Sequence, residues 1–160
     1  MSRVDELLDA FQAALVGRDR SVFATVCALD VHYEDPLTQA PLRGCDALGD
    51  HLAQLWVAVP DATVESAGAR LTDGRFVATP VRFSGTHTGE LPRLPPTRRP
   101  FGVHALLWCE LDPPRERLWR VRAFFDLYDA SVQLGVLPPH GGLGEKALMV
   151  LRGFGLRSRS

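Results

Sequence analysis

The 160-residue chain fits one domain: it is too short for two comfortable cores, and a chain this size buries roughly 70% of its unfolded surface without needing a metal or a disulfide. A hydrophobic fraction of 46% and a charged fraction of 23% exclude disorder and fibres, and a formal net charge of −1 removes the electrostatic case for nucleic-acid binding. No apolar run approaches the ~20 residues that span a bilayer, and the stretch from Met1 to Leu8 lacks a basic-then-apolar signal, so the expectation is a soluble, cytoplasmic domain without a membrane or nucleic-acid partner.

Val4, Leu7, Leu8, Phe11, Ala14 and Leu15 recur at helical spacing and predict an amphipathic helix over residues 3–16, capped by Ser2 and stopped by Gly17. A short helix from Ser21 to Cys27 follows, then a short strand, Val31-His32-Tyr33-Glu34, ended by Asp35-Pro36. Leu48, Leu52, Leu55, Trp56 and Val59 share one face of a third helix over Cys45–Val59, stopped by Pro60. From Ala62 the period changes. Residues 63–71, 76–87, 101–111 and 117–127 are four strand candidates, the first two meeting at the hairpin turn Thr72-Asp73-Gly74-Arg75. Pro80 gives the second of them an edge position or a bulge. A proline-rich loop spans residues 88–100. Beyond the breaker Pro138-Pro139-His140-Gly141-Gly142, residues 143–156 read as a short basic helix or tail. Cys27, Cys45 and Cys109 form neither a zinc pattern nor a disulfide framework, and Cys109 reads as a small buried thiol.

Three helices, a short strand and a meander of long strands make an α+β fold in which one curved sheet wraps the helices and leaves a cavity. The order and local motifs resemble the nuclear transport factor 2-like fold and, within it, the SnoaL-like polyketide cyclases (ester cyclases). The residues that carry the resemblance are Gly85-Thr86-His87-Thr88-Gly89-Glu90-Leu91, Pro95-Pro96-Thr97-Arg98-Arg99, Asp126 and Gln133-Leu134-Gly135-Val136-Leu137-Pro138, with weaker support from Pro60-Asp61 and Tyr33-Glu34-Asp35-Pro36. It implies a cone-shaped, curved mixed β-sheet wrapped around three N-terminal helices over residues 1–138, with 139–160 as an extension. Two departures stand out: Arg98 where the family usually has glycine, and the basic pair Arg120 and Arg122 before Asp126.

The resemblance implies an intramolecular aldol ring closure with no metal or organic cofactor, on a hydrophobic, polycyclic ketone or ester. Such a step needs an acid/base group and donors to an enolate oxygen. Asp126, matching the family's catalytic aspartate and following the aromatic stretch Trp119–Phe125, is the expected acid/base group, with His104 and His87 as its polar partners. An alternative makes Asp126 a strand-end carboxylate paired with Arg120 or Arg122. Strict strand alternation sets Asp126 on the face opposite Val121, Ala123 and Phe125, which conflicts with a place in the cavity unless a bulge or strand end intervenes. Asp35 is expected as a second carboxylate at the mouth, and Tyr33, Phe11, Trp56, Trp108 and Phe125 as substrate-binding wall. His32 and His51 read as structural, and no metal site is implied.

Glu34-Asp35-Pro36 also resembles the base-bearing segment of Δ5-3-ketosteroid isomerases, whose oxyanion donors the handful of candidates here, Phe11 and His104, do not reproduce. Trp119–Asp126 resembles the last strand of limonene-type epoxide hydrolases, but residues 101–111 lack the Arg-x-Asp pair such a mechanism needs. A non-catalytic module that binds a hydrophobic small molecule is the reading from another class. Leu106, Leu111, Leu118 and Phe124 are expected on an open sheet face that supports a homodimer. The stripe Ala147, Leu148, Val150, Leu151 and Phe154 predicts that the extension docks as a helix, as a lid or on an outer patch.

Overall fold

The computed structural model describes residues 2–153. Helix α1 (Arg3–Val16) is opened by a reciprocal cap, in which the Ser2 hydroxyl accepts from the Asp5 N–H and the Asp5 carboxylate accepts from the Ser2 N–H, and it closes at Gly17. Its stripe of Leu7, Leu8, Phe11 and Ala14 is buried, each large side chain contributing about 1.5–3 kcal/mol. A 3₁₀ turn (Arg20–Val22) leads into α2 (Phe23–Val26), so the short helix begins more tightly than the sequence predicts and ends before Cys27. Strand β1 (Cys27–Glu34) starts earlier than the expected Val31, because Cys27 is already paired in parallel with Leu118 of a later strand, and the register shifts between Cys27 and His32, a stretch that includes exposed Leu29. A two-residue strand β2 (Leu42–Arg43) pairs back on β1 and delivers the chain through Gly44 to α3 (Cys45–Ala58).

The predicted strand over 63–71 is two pieces, β3 (Thr63–Ser66) and β4 (Leu71–Thr72), both on the same flank of β5 (Phe76–Thr86). Pro80 explains the break. Its carbonyl accepts from Ala67 on that flank, so its missing N–H also faces that flank, and the chain bows out there between β3 and β4. On the other flank β5 pairs without interruption with β6 (Pro100–Leu111), which pairs with β7 (Leu118–Phe125). The order β2-β1-β7-β6-β5-β3, with β1 and β7 parallel and the other pairs antiparallel, makes one curved, unclosed mixed sheet. Its concave face packs on α1, α2 and α3 around Leu8, Phe11, Phe23, Val31, Leu48 and Val121. The α+β architecture predicted from element order is the one observed. No described helix is long and apolar enough to cross a membrane.

Several side chains sit elsewhere than the sequence suggests. Trp108 lies on the convex face, stacked on Phe76 at 5.5 Å, and is not cavity wall. Leu111 and Leu118 are in the core, while Leu106 and Phe124 are 40% and 53% exposed on the convex face. Helix α5 (Leu143–Leu151) forms, yet none of its residues is buried, so the apolar stripe does not dock among the described residues. The chain before it is held by Tyr128, whose hydroxyl donates to the Pro138 carbonyl and whose ring stacks on His140. The expected continuation of that helix to residue 156, with Phe154, lies outside the described residues.

Helix α4 (Leu127–Gln133) follows β7 directly, where the sequence predicts strand as far as Leu127. Asp126 is its N-cap, the carboxylate accepting from the Asp129 N–H at 2.9 Å. The far end is pinned by Gln133, whose amide exchanges two hydrogen bonds with the Gly102 backbone and so extends β6 past the end of β7. Gly135 then turns the chain in the left-handed region, at φ 75°. Asp126→Ala is expected to cost about 1 kcal/mol through the lost cap, and Asp126→Asn to cost almost nothing because asparagine caps as well. Denaturant unfolding of the two variants checks this; equal losses would remove the capping role.

Candidate functional site

A cavity of about 290 Å³ lies between the concave sheet face and the helices, walled by β5, β6, β7, α3 and α4 and by the loop over residues 87–100. The alternation of the long strands decides its lining. Val81 and Phe83 of β5, Phe101, Val103, Ala105 and Leu107 of β6, and Ala123 and Phe125 of β7 all point inward. Helix α4 closes one side with Leu127, Ala130 and Leu134. The loop closes another with Leu91 and Leu94, which bridge each other through their backbones.

The glycine of the Thr-Gly-Glu segment seats this loop. The Thr88 and Gly89 N–H groups both donate to the Ala58 carbonyl at the end of α3, and a Cβ on Gly89 would stand 1.9 Å from the Val57 carbonyl oxygen. Arg98, in place of the usual glycine, nevertheless takes a left-handed conformation at φ 59°, a strain of about 1–2 kcal/mol. The Arg98 N–H donates to the His87 carbonyl, and the His87 N–H to the Arg99 carbonyl, so the two ends of the loop are stitched together.

Five lining side chains carry polar atoms: Tyr33, Asp35, Trp56, His87 and Ser131. Trp56 donates its Nε1–H to the Leu15 carbonyl, and Ser131 its hydroxyl to the Leu127 carbonyl. Asp35, just past β1, is the hub. Its Oδ2 accepts from the Tyr33 hydroxyl at 2.9 Å and from His51 Nε2 at 2.7 Å, and its Oδ1 accepts from the Leu37 and Thr38 N–H groups. The carboxylate is 3% exposed and the imidazole 15%. Burial pushes the Asp35 carboxyl up, but the bond and charge of His51, the Leu37 N–H and the Tyr33 hydroxyl outweigh it and hold the group below its ordinary value. Burial first, and the Asp35 charge second, push the Tyr33 phenol far up, so it stays a donor.

His87 is 1% exposed. Its Nδ1 accepts from the Thr97 N–H at 3.2 Å and lies 3.1 Å from the Thr97 hydroxyl, while Nε2 has no partner among the described residues. A buried polar atom left unpaired costs about 1–3 kcal/mol.

Of the residues expected at the site, Tyr33, Asp35, Trp56, His87 and Phe125 line the cavity. Asp126 and His104 do not: Asp126 is exposed at the head of α4, and His104 is exposed on the convex face between Val103 and Ala105, which point in. The alternation conflict is thus resolved against Asp126, since the strand ends without a bulge that would turn it inward. Phe11 is packed in the core against Phe23, beside rather than in the cavity wall.

His51 is the functional candidate missed from sequence. Its partner Asp35 lies across the β1–β2 hairpin, so no short spacing links the two. The signal was its helical position: 48, 51, 52 and 55 form one i, i+3, i+4, i+7 stripe, and a histidine inside a buried stripe needs a polar partner. Among the described residues no three His, Cys, Asp or Glu side chains stand together as a metal ligand set. Cys109 is buried and its thiol pushed up to about 12, so it supplies no thiolate.

Because the folded Asp35 carboxyl titrates below its unfolded value of about 3.9, its contribution to stability is full above that pH and is lost as pH falls through the folded value. Asp35→Asn is expected to cost about 3 kcal/mol at neutral pH, with the gap to wild type narrowing below about pH 4. Urea unfolding at a series of pH values measures this, and a gap independent of pH would contradict it.

Comparison with known proteins places the chain. None of the curated proteins matches it. Among solved structures, TsrD from Streptomyces laurentii superposes with a TM-score of 0.73 at 21% identity, covering 84% of this chain and 96% of that one. A candidate SnoaL-like polyketide cyclase from Jannaschia sp. CCS1 gives 0.74 at 18% identity over 86% and 94%. A protein of ketosteroid isomerase-like fold from Catenulispora acidiphila DSM 44928, in complex with trimethylamine, gives 0.68 at 19% over 82% and 93%. These likenesses establish the fold. The family model for SnoaL-like polyketide cyclases matches residues 5–134, and with the curved sheet, the cavity and the His87 loop in place, the chain belongs to the SnoaL-like polyketide cyclase family.

Proposed function

We propose that the protein is a cofactor-independent acid/base enzyme that takes a hydrophobic, polycyclic ketone or ester into the cavity, with Asp35 as its base. The observation that carries this reading is an ionised, buried carboxylate on the wall of a mainly apolar cavity, bonded to a histidine. In a ring closure, Asp35 removes a proton from the carbon next to a carbonyl, leaving an enolate. The enolate carbon forms a bond to a second carbonyl carbon of the same molecule, and the resulting alkoxide takes the proton back from Asp35. No atoms or electrons are gained or lost. All four acceptor positions of Asp35 are filled, so one donor must yield; the Tyr33 hydroxyl does so by rotating about a single C–O bond. His51 stays on Oδ2 and stabilises the carboxylate between steps. The depressed carboxyl means that this base stays ionised, and the reaction stays available, down to the acid side of the ordinary carboxylate range.

The saturated carboxylate also favours a second reading, in which Asp35 is a clamp between β1 and α3 and the protein binds its ligand without converting it. Deuterium uptake separates the two, since exchange at the α-carbon of a bound bicyclic ketone such as 2-tetralone needs a base but no ring closure. Wild type is expected to accelerate exchange in D₂O, and Asp35→Asn to lose at least 100-fold while binding the ketone within a few-fold. Binding without accelerated exchange in wild type would leave the clamp reading.

The convex face supports a homodimer. Leu106 and Phe124 are cross-strand neighbours on it, and both are exposed. Around them Arg122 pairs with Glu34, a polar rim for an apolar centre. A dimer is expected by sedimentation at micromolar concentration, with Phe124→Glu giving a folded monomer. A monomeric wild type would contradict the assembly.

A further inference from the structure

Of the polar side chains lining the cavity, all but one spend their polar atoms on the protein itself. The exception is His87, whose Nε2 is fully buried without a partner. Its tautomer follows from its other nitrogen. Nδ1 receives the Thr97 backbone N–H at 3.2 Å, and a backbone N–H can only donate, so Nδ1 carries a lone pair and the proton of the neutral ring sits on Nε2. His87 is part of the cavity wall and Thr97 is not, and Nε2 lies on the side of the ring away from the Thr97 contact. The loop makes this arrangement rigid, since the His87 N–H and carbonyl are both tied to the opposite limb, at Arg99 and Arg98.

We infer that His87 is a ligand-recognition residue that presents a fixed Nε2–H donor to a carbonyl oxygen of the molecule in the cavity, so that the site selects a ligand carrying a hydrogen-bond acceptor over an otherwise identical hydrocarbon. This deepens the proposed function and rests on its reading of the cavity as a ligand site, but it does not depend on Asp35 acting as a base. The selectivity has a physical origin. A ligand with an acceptor satisfies an N–H that the protein cannot, whereas a hydrocarbon leaves it buried and unpaired. A ligand that offers only a donor in the same place gains nothing, because Nε2–H cannot accept.

The probes are 9-fluorenone and fluorene, which share a tricyclic skeleton and differ in a carbonyl against a methylene. Equilibrium dialysis against wild type is expected to show fluorenone bound about tenfold more tightly. In His87→Phe, which keeps an aromatic ring and removes the donor, the preference should disappear while fluorene binds at least as well. Equal affinity of the two probes for wild type overturns the inference and leaves the cavity reading standing. Failure of both probes to bind overturns the cavity reading and the inference with it. A preference that survives in His87→Phe assigns the donor elsewhere and also overturns it. Should that variant fail to fold, ¹⁵N spectra of histidine-labelled wild type decide the matter. A protonated Nε2 whose N–H resonance moves on addition of fluorenone supports the assignment, and a protonated Nδ1 or an unmoved resonance overturns it.

Discussion

The unbroken ladder between β5 and β6 is the constraint on which the rest of the molecule depends. All 11 residues of β5 are paired with β6, and a strand alternates its side chains without exception while its ladder is intact. Every second residue of β6 therefore faces the helices, and those residues, from Phe101 through Leu107, are apolar. β7 inherits the same phase through its own pairing, which turns Ala123 and Phe125 inward and Arg120 and Arg122 out. The apolar character of the cavity is thus set by the register of three strands rather than by any local choice of residue. Asp35 enters it at the end of β1 and His87 at the end of β5, in each case where a strand gives way to a loop.

Each of those two entries is stabilised by a loop closing on itself. Asp35 holds the Leu37 and Thr38 N–H groups of its own turn before it reaches His51 and Tyr33. His87 is stitched through Arg98 and Arg99 and braced by Gly89 against α3. An ionised carboxylate and a neutral imidazole can be kept in an apolar enclosure because backbone donors, which cannot rotate away, supply part of their solvation.

Much of this was legible in the chain. The cap of α1 and the apolar stripes of α1 and α3 rest on local spacing, and both helices begin where the sequence places them. The long strands were equally clear, as were Tyr33, Asp35 and His87 as polar neighbours of the cavity. Two kinds of information were not. The pairing of Asp35 with His51 depends on how β2 returns along β1, a tertiary fact with no fixed spacing. The inward or outward aim of Asp126 depends on whether the strand ends in a bulge or in a helix cap, and the sequence Phe125-Asp126-Leu127 suits both. Strand alternation already argued against Asp126, and family likeness argued for it. The geometry follows the alternation.

The break at Pro80 bears on how the molecule behaves among copies of itself. A sheet that is not closed into a barrel has two edges, and each unpaired edge is a template on which another chain's strand can grow. Here one edge is the two-residue β2, and the other is divided into β3 and β4 by a proline that offers no N–H where they part. None of these edge strands is longer than the four residues of β3, and short edge strands offer little for intermolecular strand addition. The same proline that looks like a flaw in a central strand thus protects the fold from edgewise aggregation, and it leaves the broad faces of the sheet as the surfaces through which copies can meet.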